Sequence, residues 1–133
     1  FFIYGPGQNR SMLIPRLMDS VMSKKEIILQ GSGGIYINPV HVEDASAAVV
    51  AAMETGGSAT YNIAGPDRHS IREIAEAMGQ FLGITPIFVQ LAGSPKDMVA
   101  DISAMKAELH APTRRLLECL GDVREKFENC SFK

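Results

Sequence analysis

The chain has 133 residues, 46% of them apolar, and a formal net charge of -2, which is enough for one globular domain and too little for two ordinary ones. Its lysines and arginines are scattered, so neither a basic stripe for nucleic acid nor a polybasic membrane patch is present. No apolar run approaches the roughly 18 residues of a spanning helix, no charged-then-apolar leader opens the chain, and Cys119 and Cys130 read as reduced thiols; the expectation is a cytoplasmic protein.

Phe1-Phe2-Ile3-Tyr4 is a continuously apolar run closed by Gly5-Pro6-Gly7, the pattern of a strand buried on both faces of a parallel sheet. Such a strand needs neighbours that precede it, and with no initiator Met the chain reads as a fragment whose beginning is missing. Ser11 is placed to cap a helix with Leu13, Ile14, Leu17, Met18, Val21 and Met22 on one face, Pro15 being tolerated in its first turn. Residues 27–29 predict a short strand, Gly31-Ser32-Gly33-Gly34 a hairpin turn, and residues 35–42 a second strand that Pro39 keeps off a central ladder position. The alanine-rich residues 43–53 predict a helix with a slim packing face that includes Val49 and Met53.

Residues 60–64 predict a strand ended by Gly65-Pro66-Asp67. Ser70 and Glu73 form a capping box, and Ile71, Ile74, Ala75, Met78, Phe81 and Leu82 supply a helical stripe that Gly83 ends. A strand over 86–90, a loop over 93–97 and a short helix over 102–109 with Asp101 near its cap follow. Thr113 is placed to cap a last helix with Leu116, Leu117, Leu120, Val123 and Phe127 inward, and residues 129–133 are expected to fray. The order of elements predicts a mixed α/β unit.

Chemistry is sparse. His41, His69 and His110 are far apart, with no Cys, His or Asp at metal-ligand spacing. The glycine run at 31–34 lacks the Lys-Ser/Thr and the following helix of a phosphate cradle, and no Gly-x-Ser-x-Gly elbow occurs. Glu43 and Asp44 sit where a helix dipole already favours negative charge, His41 reads as a satisfied, partly buried imidazole, and Tyr4 has Gln8, not Lys, four residues on, so it reads as packing at a strand end and not as a general acid.

Seven segments in register carry a resemblance: Tyr4-Gly5-Pro6-Gly7-Gln8, Leu13-Ile14-Pro15, Gln30-Gly31-Ser32-Gly33, Val40-His41-Val42-Glu43-Asp44 with Ala45 and Ala48, Tyr61-Asn62-Ile63-Ala64-Gly65, Ser70-Ile71-Arg72-Glu73-Ile74, and Ala100-Asp101-Ile102-Ser103 ahead of Glu108-Leu109. Together they resemble the C-terminal part of an extended short-chain dehydrogenase/reductase of the NAD-dependent epimerase/dehydratase family acting on nucleotide sugars. The resemblance implies an α/β fold in which residues 1–128 are the C-terminal substrate-binding portion, 1–8 and 35–64 also contribute to the Rossmann sheet region, and the N-terminal cofactor domain is absent. The family's redox pair, Tyr-x-x-x-Lys, is not in these residues, so the fragment is expected to be inactive alone, with no catalytic and no metal-binding residue.

Carried over by position, Tyr4, Gly5 and Pro6 look like the cofactor-binding turn beside the nicotinamide of NAD or NADP. Gln8, Arg10, Leu13, Ile14, Gln30, Asn38 and Lys96 look like substrate contacts, and Asp44 looks structural, tying the helix start to a neighbouring loop. Where many relatives carry a diphosphate-gripping Arg after the glycine run, this chain has Ile37, and the loop before Ala100 offers Lys96 in place of a second Arg. Two substrate classes therefore stay open: a nucleotide sugar held by Lys96, Arg10 or Arg68, or an uncharged substrate as in hydroxysteroid or flavonoid-alcohol reductases. A non-catalytic, regulatory member of the fold is the rival reading. The expected partners are a nucleotide sugar or related small molecule and a second copy in a homo-oligomer, with no nucleic acid and no membrane; the exposed faces of residues 1–4 and 45–53 are what should drive association.

Overall fold

The computed structural model describes residues 1–124; the expectations for Phe127, Cys130 and the tail 129–133 lie outside them. Among the described residues six short strands and five helices follow one another: β1 (Ile3–Tyr4), α1 (Leu13–Met22), β2 (Glu26–Gln30), β3 (Tyr36–Ile37), β4 (Val40–His41), α2 (Val42–Glu54), β5 (His69–Ser70), α3 (Ile71–Leu82), β6 (Ile87–Leu91), α4 (Ser103–Glu108) and α5 (Leu120–Arg124), with a 3-10 turn at Leu116–Glu118 before the last. This is the mixed α/β unit that the element order implies.

The strands pair two by two. β1 runs parallel to β4, β2 parallel to β6 over five residues from Glu26 opposite Ile87 to Gln30 opposite Leu91, and β3 antiparallel to β5. The expected single strand over 35–42 is thus two strands serving different partners, because Pro39 has no N–H to continue a ladder. The glycine run is correspondingly no hairpin: it leads from one sheet to another, and the Gly33 carbonyl accepts from the Arg72 backbone N–H at 3.0 Å at the start of α3. Residues 60–64 join no ladder; the Ile63 carbonyl accepts from the Phe1 ammonium at 2.9 Å, and just beyond them Gly65 N–H donates to the Asn38 carbonyl at 2.9 Å. Here the backbones touch, and a Cβ on Gly65 would lie 1.7 Å from the Pro39 carbonyl oxygen.

Helical periodicity decides the core. Ile14, Leu17, Met18 and Val21 of α1 meet Ile71, Ile74, Ala75 and Met78 of α3, joined by Tyr4, Ile27, Leu29, Ile37, Leu116, Leu120 and Val123. Ser11 does not cap α1; its N–H and hydroxyl both donate to Asn9 Oδ1 at 2.9 Å, and Met12 occupies the cap position without a side-chain bond. In α3 the capping box of Ser70 and Glu73 and the left-handed Gly83 stand as read. The last helix starts six residues late, at Leu120 instead of 114, and the N–H groups of Thr113 and Arg114 are taken by Asp44 at 3.1 and 2.9 Å. Leu117 consequently faces outward.

The packing face of α2 is narrower than the alanine pattern suggests: Asp44, Ala45 and Ala48 are buried, whereas Val49, Val50 and Met53 are exposed. On β1, Tyr4 is fully buried while Phe1 and Ile3 are exposed, so this strand is covered on one face only.

Candidate functional site

The turn after β1 is the centre of the site. Gly5 brings it against the start of α2, where a Cβ would lie 2.5 Å from Val42 Cγ1. Ile3, Tyr4, Gly5, Pro6, Gly7, Gln8 and Val42 enclose a hollow of about 230 Å3. Ile3 and Gln8 also line a neighbouring hollow of about 180 Å3 with Phe2, Ser11, Met12, Leu13 and Ile14. Six of the ten carried-over residues, Tyr4, Gly5, Pro6, Gln8, Leu13 and Ile14, therefore share one continuous neighbourhood. Its walls are mostly apolar, with Gln8 and Ser11 among the polar side chains, and carry no charged one.

Gln8 fixes the turn by donating from Nε2 to the Ile3 carbonyl at 2.5 Å. Its Oε1 is buried without a hydrogen-bond partner, as is the Tyr4 hydroxyl. Burial is the main reason the Tyr4 phenol is pushed far above its usual range, with the adjacent Cys119 thiol adding to it. The Tyr4 ring meets the His41 ring edge-on at 5.2 Å. Tyr4 is thus a packed, protonated phenol.

Gln30 and Lys96 occupy a second neighbourhood at the C-terminal end of the β2–β6 pair. The Gly93 and Pro95 backbone and ring pack on Gly31 and on the Gln30 side chain. Gln30 lies on the outward face of the pair with Ile28, 65% exposed, and Leu91, 50% exposed. Sequence reasoning missed this exposed face because residues 27–29 read only as a short strand, with nothing to say which side is covered.

Two carried-over residues are engaged inside the protein. Asn38 is 4% exposed; its amide accepts from Ala100 N–H and donates to the Ala100 carbonyl, both at 2.9 Å. Arg10 holds Asp19 through two bonds of 3.0 and 2.5 Å and donates to the Val123 carbonyl at 2.7 Å. Both side chains are spent on bonds within the protein.

The strand-to-helix junction at 40–44 is structural. His41 is 1% exposed, accepts from Glu43 N–H at Nδ1 as the cap of α2, and meets Asp122 through Nε2 at 3.0 Å. Asp44 has no exposure and is bonded by His110 at 2.8 Å, by the Thr113 and Arg114 N–H groups, and by the Arg114 guanidinium. Burial alone would raise its pKa, but His110 and the two N–H groups outweigh that and hold it below the usual carboxylate range. His110 and Asp122 carried no local signal, lying 66 and 81 residues from their partners. No group of side chains able to hold a metal ion is present among the described residues, and no helix among them is long and apolar enough to cross a membrane.

Residues 1–64 match the NAD dependent epimerase/dehydratase family. A dTDP-4-dehydro-6-deoxy-D-allose reductase from Streptomyces bikiniensis is 32% identical over 85 residues, covering 61% of this chain and 26% of that protein. The mitochondrial NADH dehydrogenase (ubiquinone) 1 alpha subcomplex subunit 9 of Arabidopsis thaliana is 39% identical over 66 residues, covering 47% of this chain and 16% of that protein. Among solved structures, UDP-glucuronic acid 4-epimerase from Bacillus cereus in complex with NAD superposes with a TM-score of 0.75 at 29% identity, over 92% of this chain and 40% of that one. dTDP-glucose 4,6-dehydratase from Bacillus anthracis in complex with NAD gives 0.76 at 25% identity, over 92% and 41%. The chain therefore has the Rossmann-like fold of extended short-chain dehydrogenases and spans less than half the length of these relatives.

Proposed function

We propose, from the premise that residues 1–64 carry the sequence of the NAD dependent epimerase/dehydratase family, that this chain is the substrate-binding part of an NAD(P)-dependent nucleoside-diphosphate-sugar epimerase or dehydratase. The observation that carries the proposal is the convergence of Tyr4, Gly5, Pro6 and Gln8 on one hollow, with Leu13 and Ile14 continuing it. Tyr4, Gly5 and Pro6 would face the cofactor, and Gln8, Leu13 and Ile14 the sugar. Gln30 and Lys96 would meet the nucleotide, its ring lying on the outward face of β2. Asn38 and Arg10 would hold these surfaces in place.

The cofactor, once bound, supplies transient oxidation of a substrate hydroxyl. This chain contributes binding, orientation and closure; Tyr4, buried and protonated, moves no proton. The family's Tyr-Lys pair is absent from the sequence, so the chain by itself is inactive and works together with a cofactor domain that packs on β1 and α2. In isolation that apolar face drives association into a homo-oligomer, in the cytoplasm.

A second reading has its own support: the 39% identity to an NADH dehydrogenase subunit favours a non-catalytic member that keeps the fold. The uncharged hollow around Gln8 equally suits a reductase of an uncharged alcohol. Calorimetric titration with NAD, UDP-sugars and dTDP-sugars tests the proposal. Micromolar to millimolar binding of a nucleotide sugar without binding of NAD is expected; tight NAD binding by this chain, or binding of neither, refutes it.

A further inference from the structure

Arg10 follows Gln8 by two positions and directly precedes Ser11, both of which line the hollow, yet Arg10 itself lines neither part of it. Its guanidinium is turned the other way. Nε and one terminal nitrogen hold the two Asp19 oxygens at 3.0 and 2.5 Å, that nitrogen also donates to the Pro15 carbonyl at 3.3 Å, and the other terminal nitrogen donates to the Val123 carbonyl at 2.7 Å. A forked pair with a carboxylate, tied at the same time to two carbonyls, holds the planar group in one place. Swinging it into the hollow would strand the Asp19 carboxylate.

The hollow is left without a cation. Phe2, Met12, Leu13 and Ile14 form the apolar side of its part of about 180 Å3. Gln8 already gives an N–H to the Ile3 carbonyl, and the Ser11 hydroxyl gives its hydrogen to Asn9 Oδ1. Arg16, the next cation along the chain, is exposed and lines neither part. A ligand group entering this space therefore meets hydrocarbon on most sides. A hydroxyl there gives up water without gaining a full set of partners, a methyl is favoured by its own transfer from water, and a carboxylate would stand as an unpaired charge against apolar walls.

We propose that Arg10, held away by Asp19 and the Val123 carbonyl, is a specificity-determining positioning residue that keeps this hollow uncharged, so that it takes a neutral, hydroxyl-poor sugar such as a 6-deoxyhexose and excludes a hexuronate. This rests on the reading of Gln8, Leu13 and Ile14 as facing the sugar. The selectivity is set by a charge that is withdrawn, and releasing that charge should reverse it.

Calorimetric titration of the chain with UDP-6-deoxyglucose, UDP-glucose and UDP-glucuronic acid tests this. The wild type should bind UDP-6-deoxyglucose more tightly than UDP-glucose by about fivefold or more, and UDP-glucuronic acid more weakly than UDP-glucose by about tenfold or more. Asp19→Asn frees the guanidinium and should raise affinity for UDP-glucuronic acid relative to UDP-glucose by about two- to fivefold, the scale of one exposed ion pair, a gain that high salt removes. A merely structural role of the Arg10–Asp19 pair would weaken all three ligands together. Met12→Lys, which sets an ammonium on the wall of the hollow with the pair intact, should give the same gain and decides the matter if Asp19→Asn does not fold. Equal binding of UDP-glucuronic acid and UDP-glucose by the wild type, or an unchanged ratio in a folded Asp19→Asn or in Met12→Lys, overturns the inference and leaves the nucleotide-sugar reading standing. If none of the three ligands binds, that reading falls and the inference with it.

Discussion

Asp44 Oδ1 and His110 Nε2 lie 2.8 Å apart across 66 residues of chain, and all the bonds described to the Asp44 side chain come from residues 110–114. This carboxylate therefore fastens the segment that carries Leu116, Leu120 and Val123 into the core.

Because the folded pKa of Asp44 is depressed, its contribution is present above the unfolded value of about 3.9 and is lost as pH falls through the lower folded value. Denaturant midpoints should be flat from pH 7 to 5 and drop steeply below about 4. Asp44→Ala should remove about 3–5 kcal/mol at pH 7 by leaving its donors unpaired and flatten that acid limb. An unchanged limb would mean that another carboxylate dominates.

His41 combines a cap for α2 with a bond to Asp122. Asparagine is a good cap residue but too short to reach as far. His41→Asn should therefore be more stable than His41→Ala by about 1 kcal/mol, and both should lie below the wild type. Equal stability of the two variants would show that the Nδ1 contact does not cap.

The Tyr4 hydroxyl is buried and unpartnered, a group whose removal relieves a desolvation cost. Tyr4→Phe should leave stability unchanged or raise it by about 1 kcal/mol in thermal unfolding. A loss larger than that would reveal an unrecognised partner.

Gly65 has no room for a side chain, with the Pro39 carbonyl oxygen 1.7 Å from its ideal Cβ. Gly65→Ala should cost about 3 kcal/mol or more, whereas Gly57→Ala, which meets nothing within 4 Å, is strained only by its backbone and should cost about 1 kcal/mol. Comparable losses at the two sites would contradict the close approach at Pro39.

Val50 and Met53 stand 57% and 81% exposed on α2. Val50→Glu with Met53→Glu should convert an associating chain into a monomer in sedimentation velocity without lowering its melting temperature by more than a few degrees. A monomeric wild type would remove the basis for the homo-oligomer.

Local signals were enough for α3, where Ser70, Glu73, the apolar stripe and Gly83 all act within fourteen residues, whereas the tie from Asp44 to a neighbouring loop came from the family resemblance. They were not enough for residues 35–42, because periodicity cannot say that two halves of one apolar run pair with different strands. Asp44 overrode the cap expected at Thr113 from a distance that no window covers. The turn at 4–8 was legible as a motif, but the meeting of Arg68, Tyr36 and Asp97 is a product of the fold. The outward face of Ile28 was likewise invisible, since a buried and a half-exposed apolar strand look alike in sequence.

The pairing of β2 with β6 also sets a clock for synthesis. Glu26 must wait for Ile87, and at about 5–20 residues per second those 61 positions take about 3–12 seconds to leave the ribosome. Throughout that interval Ile27, Ile28 and Leu29 have no strand to join, so the nascent chain presents a sticky edge long before its partner exists. Synonymous codon changes that slow translation between residues 30 and 87 should lower soluble yield, even though the finished sequence is identical.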